Sequence, residues 1–180
     1  AELALIVRRS GGNPLFTIEL CRALEHDTID ELPESIEGLI STRIDALPGQ
    51  QRHLLRVAAV FGHEFDLLRV SAVADDDLTL TAGLDELIEH DRDRTFRFRH
   101  AMYRDVAYEG LPFHERRRLH ERTGRLLESE LDEPSQIASL LSLHFAAAGR
   151  HPDAYRYAVR AANDAAGAYA HVEAIEQYER

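Results

Sequence analysis

The apolar and polar positions change period once in the middle of this chain. From Thr95 to Arg99 they alternate, with Phe96 and Phe98 on one face and Arg97 and Arg99 on the other, as in a half-buried strand. From Ala101 the spacing becomes helical: Met102 lines up with Val106, and Tyr103 with Ala107. His100 stands at the junction. The first turn of a helix presents unpaired N–H groups and the positive end of the dipole, which favour an anion. A histidine there can meet a phosphate, or it can simply cap or pack.

Elsewhere the pattern is helical with clear punctuation. A short opening helix carries Leu3, Leu5 and Ile6 and stops at Ser10-Gly11-Gly12. Asn13 reads as an N-cap and Pro14 as the first position of the next helix, with Leu15, Ile18 and Leu24 toward one side and a fading end at His26-Asp27. Ser35 or Glu34 starts an amphipathic helix over Ile36, Leu39, Ile40, Ile44 and Leu47, which Pro48-Gly49 stops. A buried helix from Gln50 to Phe61 ends at Gly62, and a short one follows over Leu67 to Ala74. After the loop Asp75-Asp76-Asp77 a helix is expected from Leu78 to His90. Arg92 to Arg99 reads as a hairpin or wing.

The helix through Tyr108 breaks at Gly110-Leu111-Pro112, and Glu115 to Leu131 is a long charged helix. After Asp132-Glu133-Pro134 come Ser135 to Ala148, Pro152 to Tyr169, and a further stretch from His171. The alanines of the second stretch (Ala154, Ala158, Ala161, Ala162, Ala165, Ala166), interleaved with Tyr155, Tyr157 and Tyr169, have the texture of a tetratricopeptide-like array, with an ordinary helical hairpin as the alternative. The expected architecture is mostly α: residues 1–31 the end of a helical lid, 32–133 a winged-helix domain with a small β-wing, and 134–180 the start of helical repeats. The chain begins and ends inside helical patterns, as a piece of a longer protein does.

Composition removes several functions. The chain of 180 residues has a net charge of −11, which works against nonspecific binding of nucleic acid or anionic membrane. No apolar run reaches the length of a membrane span and no signal peptide opens the chain, and a lone unpaired cysteine suits a reducing cytoplasm, which is the expected setting. One cysteine, Cys21, excludes an internal disulfide or a multi-cysteine zinc cluster, and it reads as a core residue. All 21 basic residues are arginine. Without lysine there is no GxxxxGK[ST] phosphate loop and no Schiff-base chemistry.

The candidate metal and catalytic motifs fail on spacing. His114-Glu115 opens like HExxH, but Arg118 stands where the second histidine is needed, and Gly124 does the same for His120-Glu121. Asp75-Asp76-Asp77 with Glu86 resembles a calcium loop, but Leu80 fills the position that needs glycine. No Gly-x-Ser-x-Gly elbow occurs. Asp75 to Asp91, which spans the expected recognition helix, holds seven acids and no arginine, which argues against docking in a DNA groove. The basic groups lie in the wing (Arg92, Arg94, Arg97, Arg99) and in Arg116-Arg117-Arg118 with Arg122 and Arg125; they could meet phosphates or pair with neighbouring acids.

Two stretches resemble one family. Ser10-Gly11-Gly12-Asn13-Pro14-Leu15-Phe16 and Phe98-Arg99-His100-Ala101-Met102-Tyr103-Arg104-Asp105-Val106-Ala107-Tyr108 look like the middle of a STAND-type signalling ATPase. The subgroup is the large bacterial regulators that carry a LuxR-type or nucleotide-cyclase output. The resemblance implies that Pro14, in a Gly-x-Pro motif of Gly12, Asn13 and Pro14, packs near the adenine. It implies that His100 contacts the β-phosphate of ADP. In related members that helix opens with Met-His-Asp; here Arg99 and Ala101 replace the flanking residues, which puts the locking of the switch in question. The P-loop and magnesium site are expected upstream, so the segment itself is expected to be non-catalytic and to bind no cofactor alone, with ATP or ADP and Mg belonging to the whole protein. Its partners would be that ATPase domain and a protein or small-molecule inducer at the repeats. The rival readings are a DNA-binding winged helix, a peptide-binding repeat scaffold without a nucleotide role, and a metal hydrolase.

Overall fold

Helix α1 (Glu2–Ser10) ends at two glycines that both take positive φ, 56° and 82°, so the chain reverses there without a Cβ in the way. Asn13 then caps α2 (Pro14–Ala23): its side chain accepts the Phe16 N–H at 3.2 Å, and Pro14 takes the first helical position. Ser35 does the same for α3 (Ile36–Ala46), accepting from Gly38 N–H at 3.1 Å. Pro48 separates α3 from α4 (Gly49–Phe61), which buries Leu54, Leu55, Val57, Ala58, Ala59 and Val60. The remaining elements are β1 (Glu64–Asp66), α5 (Leu67–Ala74), β2 (Ile88–Arg92), β3 (Thr95–Phe98), α6 (Ala101–Glu109), α7 (Phe113–Glu130), α8 (Ala138–Ala147) and α9 (His151–Tyr178). This is a computed structural model, and it describes residues 2–25, 32–74, 83–130 and 137–178. The protein is mostly helical with a small antiparallel sheet.

The sheet has the order β1-β3-β2. Phe98 pairs with Ile88 and both turn inward, at 1% and 3% exposure, while Arg97, opposite Glu64 and Glu89, turns outward. The alternation expected for Thr95 to Arg99 is therefore present. Asp93 takes φ 49° at the tip of the β2–β3 hairpin.

Two expected helices differ. The first was placed over Leu78 to His90; the part before Gly83 lies outside the described residues, and the rest is no helix. Gly83 takes φ 110°, a single turn follows in which Ile88 N–H reaches Leu84 O, and β2 begins at Ile88. The spacing of Leu84, Leu87 and Ile88 looked helical because all three are buried, but Arg99 N–H bonds Leu87 O, which draws the segment into the sheet. The second concerns the C-terminal stretch, where the break expected near Ala170 is absent and α9 runs unbroken to Tyr178. No proline follows Pro152 at the start of the helix, and the single Gly167 does not interrupt it.

Side-chain faces on α2 also differ. Its buried residues are Phe16, Glu19 and Leu20, and Ile18 is exposed. Cys21 is exposed rather than in the core, since it follows Leu20 by one residue and so points about 100° away around the helix.

The contacts group the chain into two units. The first holds α1 to α4, the sheet and α6; the second holds α7 to α9; α5 is divided between them. The expected boundaries at residues 31 and 133 lie among residues outside the described set. The second unit packs Leu127, Ala138, Leu141, Phe145, Ala154 and Tyr157 together. Gly124 permits the approach of Phe145: a Cβ there would stand 3.0 Å from the ring. Beside this core two buried histidines on α7 and α8, His120 and His144, face each other with their Nδ1 atoms 3.0 Å apart.

Candidate functional site

The residues singled out in the sequence all sit at helix starts in the first unit. Gly12, Asn13 and Pro14 are exposed at the entry to α2. His100 is exposed at the entry to α6, where it is the N-cap: its Nδ1 accepts the Met102 N–H at 3.1 Å. A neutral ring that accepts at Nδ1 carries its proton on Nε2, so its other edge is a donor. The capping role of His100 is thus present in the structure.

What connects these two helices lies one turn further in. Glu19 of α2 is buried, with its side chain only 2% exposed. The Tyr103 hydroxyl of α6 donates to Glu19 Oε1 at 2.8 Å. Arg22 Nη1 donates to the same oxygen at 3.1 Å, and Arg43 Nη1 of α3 reaches Oε1 at 3.0 Å and Oε2 at 3.3 Å. A buried carboxylate is tolerable only when charge and hydrogen bonds compensate it. Here two guanidiniums and a phenol do so, and three helices converge on one side chain. Burial first, then the bond to Glu19, pushes the Tyr103 hydroxyl up to about 12, so it remains a donor. Burial works against the Arg22 charge, but Glu86 and Glu19 outweigh it and hold Arg22 above its ordinary value.

A second carboxylate, Glu86, closes the cluster from the solvent side. It bonds Arg22 Nη2 at 3.2 Å and also bonds Arg43 Nη2, and its side chain is 52% exposed. Arg22, Arg43, Glu19 and Glu86 form one end of a cavity of about 680 Å³. Its apolar wall is Ala23, Leu32, Leu39 and Ala46. Leu32 and Pro33 are held in place by Arg9, which donates to both of their carbonyl oxygens.

No family model, curated protein or solved structure matches this chain. The site must therefore be read from its own geometry. Glu19, Arg22 and Arg43 carry no motif in the sequence, and Glu86 and Tyr103 stand out there only in a calcium-like spacing and a helical apolar pair. The single local signal was the Glu19/Arg22 spacing of three, common on any helix surface. Among the described residues no three His, Cys, Asp or Glu side chains converge as metal ligands. No helix among them is long and apolar enough to cross a membrane. The wing arginines are all engaged: Arg92 with Asp91, Arg94 with Asp66 at 3.9 Å, and Arg97 and Arg99 with Glu89.

Proposed function

We propose that this chain is a non-catalytic regulatory segment of a STAND-type signalling ATPase, acting in the cytoplasm with a LuxR-type or cyclase output elsewhere in the protein. It closes over ADP or ATP, with Mg, held by an ATPase domain N-terminal to it. The observation that carries this reading is the pairing of two exposed helix starts, Gly12-Asn13-Pro14 on α2 and His100 on α6, on helices tied together by the buried Tyr103–Glu19 bond. Pro14 packs near the adenine, and the Nε2–H of His100 donates to a phosphate oxygen at a helix N-terminus.

The sheet order β1-β3-β2, with α5 between β1 and β2, supports a winged helix for the first unit. The α8–α9 hairpin, turned at Gly149 with φ 74°, supports the start of a repeat array in the second. Exchange of ADP for ATP changes the contacts of His100 and frees the winged helix, and an inducer acts at the repeats. The nucleotide must favour one arrangement over the other for this to work. In the full-length protein His100→Ala should speed ADP release and raise basal output; an unchanged ADP off-rate together with unchanged output refutes the role of His100.

The exposed side chains Leu143 and Tyr155, at 68% and 73%, favour a second reading, a peptide-binding repeat scaffold with no nucleotide role. Calorimetry of the full-length protein with ADP separates the two. The pairing of the wing arginines with neighbouring acids speaks against DNA as the partner.

A further inference from the structure

The cavity beside Glu19 has features that the nucleotide reading does not use. Two guanidiniums are each bridged by the same two carboxylates, and those carboxylates are unequal. Glu19 is buried and bonded to three partners, so it is a fixed part of the wall. Glu86 is half exposed and meets only the outer nitrogens, Nη2 of Arg22 and Nη2 of Arg43. An ion pair exposed to that degree is weak, because water and salt compete with it. Glu86 is therefore an internal group that an external acid can replace on both arginines at once.

The remainder of the cavity says what that acid should carry. Ala23, Leu32, Pro33, Leu39 and Ala46 supply apolar lining, Glu25 and Thr42 complete it with polar groups, and Arg9 fixes the Leu32–Pro33 edge. The volume of about 680 Å³ suits a small molecule. Both guanidiniums already hold carboxylates in bridging geometry, so a carboxylate that takes the place of Glu86 needs no rearrangement of either arginine.

We propose that this cavity is a binding site for a small organic acid, a carboxylate with an apolar body, which displaces Glu86 from Arg22 and Arg43 and lies against Leu32 and Leu39. The site is independent of the nucleotide reading and stands or falls without it. Occupation releases the turn that carries Glu86 from α2 and α3.

The test is an NMR titration of the protein with octanoate, following the Nε–H signals of Arg22 and Arg43, with 1-octanol and acetate as probes that lack the charge and the apolar body. Octanoate should saturate, and the other two should bind at least about tenfold more weakly. Glu86→Gln leaves the buried cluster intact and should tighten octanoate about threefold. Arg43→Gln should weaken it about tenfold or more. Octanol binding as well as octanoate, octanoate binding that Glu86→Gln weakens or leaves unchanged, or no saturation in both wild type and Glu86→Gln each overturns the proposal. The direction expected for Glu86→Gln keeps the test decisive even if Arg43→Gln fails to fold.

Discussion

Acid should loosen the second unit as pH falls below about 6.5. The perturbation acts on His120 and His144, whose Nδ1 atoms share one hydrogen bond across α7 and α8. One ring donates and the other accepts, so the pair is satisfied when the accepting ring is neutral. A further proton on His144 puts a charge into a site where that residue is 4% exposed, beside a second histidine. Burial first, and then the proximity of His120, push His144 down from 6.5 to about 4. An unfolded chain takes up that proton near 6.5, whereas the folded chain resists it until about 4. Between those values the unfolded state binds more protons, so stability rises with pH across the window. The penalty is absent above the upper value, grows as pH falls, and is complete at about 4, where it amounts to about 3 kcal/mol.

Urea denaturation measures this, read by hydrogen exchange of α7 and α8 amides at steps from about pH 7 to about pH 4.5. Carboxylate effects fall lower. Burial alone would raise Glu128, but the bonds from Tyr157 and Arg125 prevail and hold it below its ordinary value. His144→Asn retains a hydrogen-bonding group near the Nδ1 position without the titration, and most of the slope should vanish. If wild type and His144→Asn lose stability in parallel over this range, or if His144 titrates near 6.5 in the folded protein, the reasoning is wrong.

Three further outcomes are expected. Thr123 has a hydroxyl oxygen with no hydrogen-bond partner among the described residues at 0% exposure, so Thr123→Val should raise stability by about 1 kcal/mol in thermal or urea denaturation; a loss of similar size would show that the hydroxyl does have a partner. Asn13→Ala removes the cap of α2 and should cost about 1 kcal/mol, whereas Asn13→Gly should cost only a few tenths. Arg43→Lys should cost about 2 kcal/mol, because one ammonium replaces a fork that now spans Glu19 and Glu86; full stability in the lysine variant would mean that the bridging geometry is unimportant.

The parts of the fold legible in the sequence are those settled within a turn or two of chain. Asn13 and Ser35 cap their helices through bonds spanning three residues, and the strand alternation around Phe98 needs only its own neighbours. The segment before β2 misled because burial by the sheet imitates helical spacing. Leu84, Leu87 and Ile88 are apolar for the sake of residues ten or more positions away, and a local period cannot report that. The face of α2 misled for a related reason. An acid on a helix reads as solvent-facing, so Glu19 conceals the buried side, and the side that Leu15, Ile18 and Leu24 suggest is not the buried one.

Glu19 is also where the candidate site escaped the sequence reading. Its partners stand 3, 24 and 84 residues away, and only the nearest leaves a pattern. The composition nonetheless held a clue. A chain with arginine and no lysine is suited to bridging carboxylates, since a planar fork can hold two acids where an ammonium acts as a point charge. Such a cluster is a poor source of net stability, because taking Glu19 out of water, and the two guanidiniums partly so, offsets much of the attraction between them. Its value is geometric. With Glu19 bonded to Arg22, Arg43 and Tyr103, α2, α3 and α6 hold a single relation, and the helix starts at Pro14 and His100 are fixed with it. The exposed Glu86 is then the natural point of control, since it joins the same two arginines and can leave without opening the core.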